Sequence, residues 1–146
     1  MVRFEEISTK NKSDFKKLCL MLFPVSYAPS FFKSLVSGEM ISGDKCGCAL
    51  AYVENKPIGL ISWSQSQNRV HLLNLGILVH YRRKGIGSEL LNLIPKKKVM
   101  SLYVQSSNQD AIEFYSKKGF KKVRLEKMYY KRLECPDAYF LEKYFE

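Results

Sequence analysis

The residues of this chain best suited to chemistry are six in a row, Arg82-Arg83-Lys84-Gly85-Ile86-Gly87. Glycines at 85 and 87 allow backbone conformations, and an approach of ligand to backbone, that a side chain would prevent. The segment follows an apolar run, Leu73 to Val79, and opens a helical pattern. Its backbone N–H groups are therefore expected to point outward at the positive end of a helix, with three cationic side chains beside them. A diphosphate is the ligand such a loop stabilises. Two other phosphate-binding patterns are excluded: a dinucleotide fingerprint needs a third glycine where Leu90 stands, and no G-x-x-x-x-G-K-S/T loop occurs.

Charge points the same way. The formal net charge is +10 over 146 residues, and Lys117 to Arg132 holds eight basic residues against one acid, Glu126. Such a stretch attracts polyanions, whether a phosphorylated cofactor, an acidic peptide or ribosomal RNA; a merely solvated face is the alternative reading. The four cysteines, Cys19, Cys46, Cys48 and Cys135, have no C-x-x-C spacing and no histidine-rich partner segment, so they read as reduced thiols and no metal is implied. No run reaches the roughly 18 apolar residues a membrane span requires. The charged stretch Met1 to Lys10 does not resemble a signal peptide. The expectation is one soluble intracellular domain over residues 1–146.

The elements that must position the loop follow from periodicity. Val2 to Ile7 reads as a strand; Phe15, Leu18, Cys19 and Leu22 mark a helix that Pro24 ends, and Pro29 to Gly38 a second helix. Gly47 to Val53 and Pro57 to Trp63 flank a turn at Glu54-Asn55-Lys56 and read as a hairpin. Val70 to Val79 is nearly all apolar, as in a strand covered on both faces. A helix from Gly85 to Ile94 stops at Pro95. Val99 to Gln105 is a strand, and Asn108 to Lys118 a helix with Asn108 as N-cap and Gly119 beyond its end. Phe120 to Glu126 and Tyr129 to Leu133 are assigned as the last two strands. The order implies an α/β fold with a mixed sheet and helices on both faces.

Arg82-x-x-Gly85-x-Gly87 resembles the R/Q-x-x-G-x-G/A signature of the GNAT superfamily of N-acetyltransferases. Asn108-x-x-Ala111-x-x-Phe114-Tyr115-x-x-x-Gly119-Phe120 resembles the second coenzyme-binding segment of that superfamily, one strand later in both cases. Within it, Phe23-Pro24-Val25-Ser26-Tyr27, Leu75 to Leu78 leading into Tyr81 to Gly87, and Tyr129-Tyr130-Lys131-Arg132-Leu133 with Asp137-Ala138 are similar to N-terminal acetyltransferases of the NatE type. The resemblance implies a central sheet of about seven strands, mostly antiparallel and splayed in the middle. It also implies acetyl-coenzyme A as cosubstrate, lying in the gap on Leu75, Gly76, Ile77 and Leu78, on Arg82 to Ser88 (Arg82, Arg83, Lys84, Gly85, Ile86, Gly87, Ser88), and on Asn108, Tyr115 and Lys117.

By the same resemblance the acceptor is the N-terminus of a peptide or nascent chain that keeps its initiator Met ahead of a hydrophobic residue. It would be held by Phe23, Pro24, Val25, Tyr27, Leu73, Tyr129 and Tyr130. A peptide α-amine, with a pKa of about 7.7 to 8.0, is already partly neutral at pH 7, whereas lysine at about 10.4 is not. Lysine acetyltransferases of the superfamily place a glutamate on the central strand, and Arg69 to Val79 contains no acid. The NatE pattern pairs a tyrosine on the first strand of the gap with a histidine on the second. This chain has the reverse, His71 and Tyr103, so the pair is expected to have exchanged places, with His71 relaying the proton. Tyr115 is expected to serve the leaving sulfur. Implied partners are NatA subunits and the ribosome, in the cytoplasm with a nuclear pool as an alternative. The competing readings are a lysine or small-amine acetyltransferase and a weakly active ribosome- or NatA-binding module.

Overall fold

The computed structural model describes residues 1–145. Strand β1 (Val2–Glu6) is followed by helices α1 (Lys12–Leu22) and α2 (Pro29–Ser37), then by strands β2 (Lys45–Val53), β3 (Lys56–Gln65) and β4 (Arg69–Ile77). After a 3-10 turn at Val79–Tyr81 come helix α3 (Ile86–Leu91), strand β5 (Val99–Gln105), helix α4 (Gln109–Lys117) and strands β6 (Lys121–Glu126) and β7 (Ala138–Tyr144). One seven-stranded sheet runs β1-β2-β3-β4-β5-β7-β6. Only the β4–β5 pair is parallel. The mixed, mostly antiparallel sheet with helices on both faces is thus the architecture the sequence implies.

Strand alternation sorts the side chains into two layers. Cys46, Cys48, Leu50 and Tyr52 of β2, with Leu60, pack under Phe15, Leu18 and Cys19 of α1 and Leu35 of α2. Ala49 and Ala51 face the other way, into a layer with Val70, Leu72, Met100, Leu102 and Val104 that α3 and α4 cover through Ile86, Leu90, Ile112 and Tyr115. Local sequence sets the helix ends. Pro29 opens α2 and Gly38 closes it at φ 85°. Asn108 Oδ1 accepts from the Ala111 N–H at 3.2 Å at the start of α4, and Gly119 beyond it has φ 96°.

Three elements differ from expectation, each through tertiary hydrogen bonding. The central strand ends at Ile77, because the Leu78 N–H is drawn to Ile58 O at 2.8 Å and Val79–Tyr81 winds into a 3-10 turn. Helix α3 is only six residues long; Leu93 and Ile94 bond three residues back, to Leu90 O and Leu91 O, and this tighter turn buries Ile94. Tyr129 to Leu133 is not a strand. It forms a turn inside the loop 127–137, with Leu133 N–H on Tyr130 O and Tyr130 N–H on Pro136 O, and the last strand is Ala138–Tyr144.

The feature that positions the site is where β4 and β5 stop pairing. They pair from Arg69↔Val99 to Leu72↔Leu102 and no further. Beyond that point Asn74 to Ile77 pair only with β3, and Tyr103 to Gln105 only with β7. The β3–β4 register slips at the same level: Trp63 pairs with Leu72 and Ser62 with Asn74, so Leu73 is an extra residue on β4. A bulge of this kind bends and twists its strand, here away from β5. Consequently β4 is not covered on both faces as expected: Val70, Leu72 and Asn74 are buried, while His71, Leu73 and Leu75 are half-buried beside the opening.

Close packing of β2 on β3 holds the edge of this frame. Gly47 pairs with Trp63, and a Cβ at 47 would fall on the indole ring. Gly47→Ala is expected to cost about 1–3 kcal/mol through overpacking. Thermal denaturation should show a Tm lower by roughly 3–10 °C.

Candidate active site

A cavity of about 620 Å³ occupies the gap between β4 and β5 and opens toward both layers of helices. One end is built by the loop after the 3-10 turn. Arg82 Nε donates to Ile77 O at 2.7 Å, which folds the loop back onto the end of β4. Arg83 and Gly85 both take left-handed backbone, at φ 62° and 81°. For Arg83 that conformation is strained, and strain of this kind is kept where backbone groups must be aimed at a ligand. The first-turn amides of α3 at Ile86, Gly87 and Ser88 have no intrahelical acceptor. With α3 only six residues long, its dipole adds less than the amides and cations themselves.

The residues fit a nucleotide diphosphate with a thioester arm. A Cβ at Gly85 would meet nothing within 4 Å, and one at Gly87 only the Phe114 ring at 3.5 Å, so the loop is bare on its cavity side without being held bare by the protein. The β5-facing backbone of β4 from Leu73 to Ile77 has no strand partner and borders the cavity. Of the residues that the resemblance implies for the coenzyme, two do not border this cavity. Leu78 packs into the core with its N–H bonded to Ile58 O, and Lys84 lies on a separate groove beside Val2 and Glu89. Arg82, Arg83, Gly85, Ile86, Gly87, Ser88, Asn108, Tyr115 and Lys117 all line the cavity.

The opposite end is aromatic and apolar. Phe23, Pro24, Val25 and Tyr27 from the α1–α2 connection face Tyr130 and Leu133 of the loop 127–137, with Leu73 between them. That loop is irregular but anchored: Gln105 Nε2 donates to Cys135 O at 2.8 Å, and Met128, at φ 59°, donates its N–H to Asp137 Oδ1 at 3.0 Å. Tyr129 does not reach the cavity. It stacks on Tyr103, ring centroids 4.2 Å apart. Burial pushes the Tyr27 and Tyr130 phenols up to about 12, so both keep their protons at neutral pH.

Tyr103 lines the cavity and is packed by Tyr129, by Phe140 at 4.9 Å and by the edge of His71 at 5.7 Å. Its hydroxyl accepts from Arg124 at 3.4 Å. His71 stands behind that ring rather than on the cavity wall, and its Nδ1 is 2.9 Å from the buried Ser101 Oγ. Burial, then Arg69, holds the His71 pKa below the usual 6.5, so the ring is neutral at pH 7. Which of Nδ1 and Ser101 Oγ donates follows the imidazole tautomer, and a neutral imidazole can accept a proton. Tyr115 is buried between Phe114 and Phe120 at the coenzyme end, and burial raises its pKa well above that of a free phenol.

Sequence reasoning missed Tyr81, Gln105 and Leu133, which also line the cavity. Tyr81 directly precedes the basic loop and Leu133 follows the Tyr-Tyr pair, so adjacency was the available signal. Gln105 shows itself only through its bond to Cys135. Removing the strap from Arg82 to Ile77 should loosen the loop. Arg82→Ala is expected to raise the KM for acetyl-coenzyme A about tenfold, the worth of one charge-assisted hydrogen bond, with a smaller change in peptide KM when both are measured in steady state.

Residues 44–122 match the family model described as an acetyltransferase (GNAT) domain. The chain is 35% identical to N-alpha-acetyltransferase 50 of Danio rerio, over 97% of this chain and 88% of that one. It is 33% identical to the probable N-acetyltransferase san of Drosophila melanogaster, over 97% and 80%. Among solved structures, Arabidopsis thaliana Naa50 in complex with the bisubstrate analogue CoA-Ac-MVNAL superposes with a TM-score of 0.86 at 32% identity, covering 99% of each chain. The gap, the diphosphate loop and these similarities have one explanation: the chain belongs to the GNAT acetyltransferase family and uses acetyl-coenzyme A as its acyl donor.

Proposed function

We propose that this enzyme acetylates the α-amine of peptides and nascent chains that keep an initiator Met before a hydrophobic residue. The observation that carries the reading is the cavity itself, which joins a coenzyme loop at one end to an apolar wall with tyrosine hydroxyls at its rim on the other. Phe23, Pro24, Val25 and Leu133 suit an uncharged Met side chain, and Tyr27 and Tyr130 can hold peptide backbone. β4 carries no acid beside the gap, and its one candidate base, His71, is better matched to an α-amine than to the more basic amine of lysine. The relative solved with CoA-Ac-MVNAL, a Met-initiated analogue, supports the same choice.

Acetyl-coenzyme A supplies an acetyl group activated as a thioester. The unpaired backbone of Leu75 to Ile77 orients its carbonyl, and Arg82 to Ser88, with Asn108 and Lys117, fix its far end. Phe23, Pro24, Val25, Tyr27 and Tyr130 bring the amine in from the other face. His71 accepts the amine's proton by relay past Tyr103, which packs against its edge. Tyr115 keeps its proton at Oη as the donor on the coenzyme side. The exposed basic residues of β6 and the following loop suit an anionic surface, and we assign them to contact with NatA subunits or ribosomal RNA in the cytoplasm.

A thiol-release assay with Met-Leu, Ser-initiated and acetyl-capped lysine peptides tests the reading. Met-Leu should exceed the others by at least about tenfold in kcat/KM, a difference of about 1.4 kcal/mol; equal or greater turnover of the lysine peptide would overturn it. The pH profile tests His71. Because its pKa lies below 6.5, protonation removes the base only on the acid side, and the rise toward pH 8 belongs to the amine. His71→Ala should lower kcat/KM on the order of 10²-fold at pH 7. An unchanged profile from pH 6 to 9 would take His71 out of the chemistry.

A further inference from the structure

Two polar side chains lie deep in the apolar sheet beneath the peptide end of the cavity. Ser62 of β3 is fully buried and Asn74 of β4 is 4% exposed. They are cross-strand partners at the bulge that starts the gap. Ser62 Oγ donates to Asn74 Oδ1 at 2.5 Å, and Asn74 Nδ2 donates to Tyr27 Oη at 2.6 Å. Tyr27 is held in turn by a stacked Phe31, centroids 4.8 Å apart, and by the edge of Phe32.

The direction of this chain is fixed from its inner end. Among the described residues the Ser62 hydroxyl has Asn74 as its only hydrogen-bond partner. Were the Asn74 amide turned over, its NH₂ would face Ser62, and a buried hydroxyl hydrogen would be left without an acceptor. Ser62 therefore holds Oδ1 inward and Nδ2 outward. Tyr27 must then accept from Asn74, and its own hydrogen, which has no acceptor among the described residues, is left for the cavity that its ring lines.

We propose that Ser62 and Asn74 are positioning residues that set the Tyr27 hydroxyl as a hydrogen-bond donor for the carbonyl oxygen of the first peptide residue. This rests on the α-amine reading above and deepens it. A donor aimed at the amine would occupy the lone pair that must attack, so the acceptor has to be a neighbouring group, and the nearest acceptor in any peptide is that carbonyl. A lysine side-chain amine has no carbonyl at that distance. The dyad thus becomes a determinant of α- over ε-amine selectivity, separate from the apolar wall that selects Met.

Asn74→Asp reverses the chain, since a carboxylate accepts from both Ser62 and Tyr27 and draws the Tyr27 hydrogen inward. Steady-state kinetics on the Met-Leu peptide should show KM up about tenfold with kcat changed less, the acetyl-coenzyme A KM unchanged, and no loss on the capped lysine peptide. Tyr27→Phe should show the same split, and Tyr27→Phe/Asn74→Asp should be no worse than Tyr27→Phe alone. Ser62→Ala, the milder change, frees the amide to turn and should give a smaller rise of the same kind. Multiplying losses in the double variant overturn the proposal, as does a wild-type peptide KM in Asn74→Asp. A fall in Tm and in coenzyme affinity alongside peptide affinity would assign the pair to the core instead, and Ser62→Ala with wild-type peptide KM would confirm that outcome. If the wild-type enzyme prefers the lysine peptide, the α-amine reading fails first and is recognised separately.

Discussion

The end of pairing between two parallel strands is the constraint on which the rest of this molecule depends. Backbone groups left without strand partners inside a fold must find others, and at Leu73 to Ile77 those on the β5 side border a cavity that a ligand can fill. The break costs the sheet little, because β4 stays bonded to β3 and β5 to β7 on their outer sides. An extra residue at Leu73 starts the divergence, and the cavity follows from it. Both ends of the site are then local additions to one opening: a basic loop strapped back by Arg82 on one side, and an aromatic connection between α1 and α2 on the other.

Some of this was legible in the chain. The Arg82 to Gly87 loop announces itself because glycine at positive φ and clustered cations have few other uses, and α4 because Asn108 and Gly119 mark its ends. The strands also read well wherever alternation was strict. The loop 127–137 did not read well. Its aromatic, positively charged sequence matches a strand, but its shape is set by Gln105 on Cys135 and Asp137 on Met128, partners that no local pattern reveals. The β7 strand was hidden behind it for the same reason.

The pair proposed for proton transfer shows a further limit. Alternation correctly puts His71 and Tyr103 on one face of the sheet, yet it cannot say which reaches the cavity. Packing decides that: Tyr103, stacked on Tyr129 and in edge contact with His71, is the one that lines the cavity. Ser62 and Asn74 were equally silent, since one polar residue in each of two apolar strands carries no signal until the register makes them partners. Polar groups placed this way specify orientation more than they add stability, because the cost of leaving either one unpaired forbids the alternatives.

Gly76 belongs to both halves of the site. A Cβ there would stand 2.9 Å from Leu22 and 3.0 Å from Phe23, so the strand backbone at the coenzyme end touches the wall that faces the acceptor. The two binding surfaces are therefore inherited together. A larger residue at the acceptor wall has no slack behind it, and a side chain on the strand would press the wall inward. Divergence of acceptor preference in chains of this shape is for that reason channelled into the loop 127–137, whose Tyr130 and Leu133 border the acceptor end from the other side.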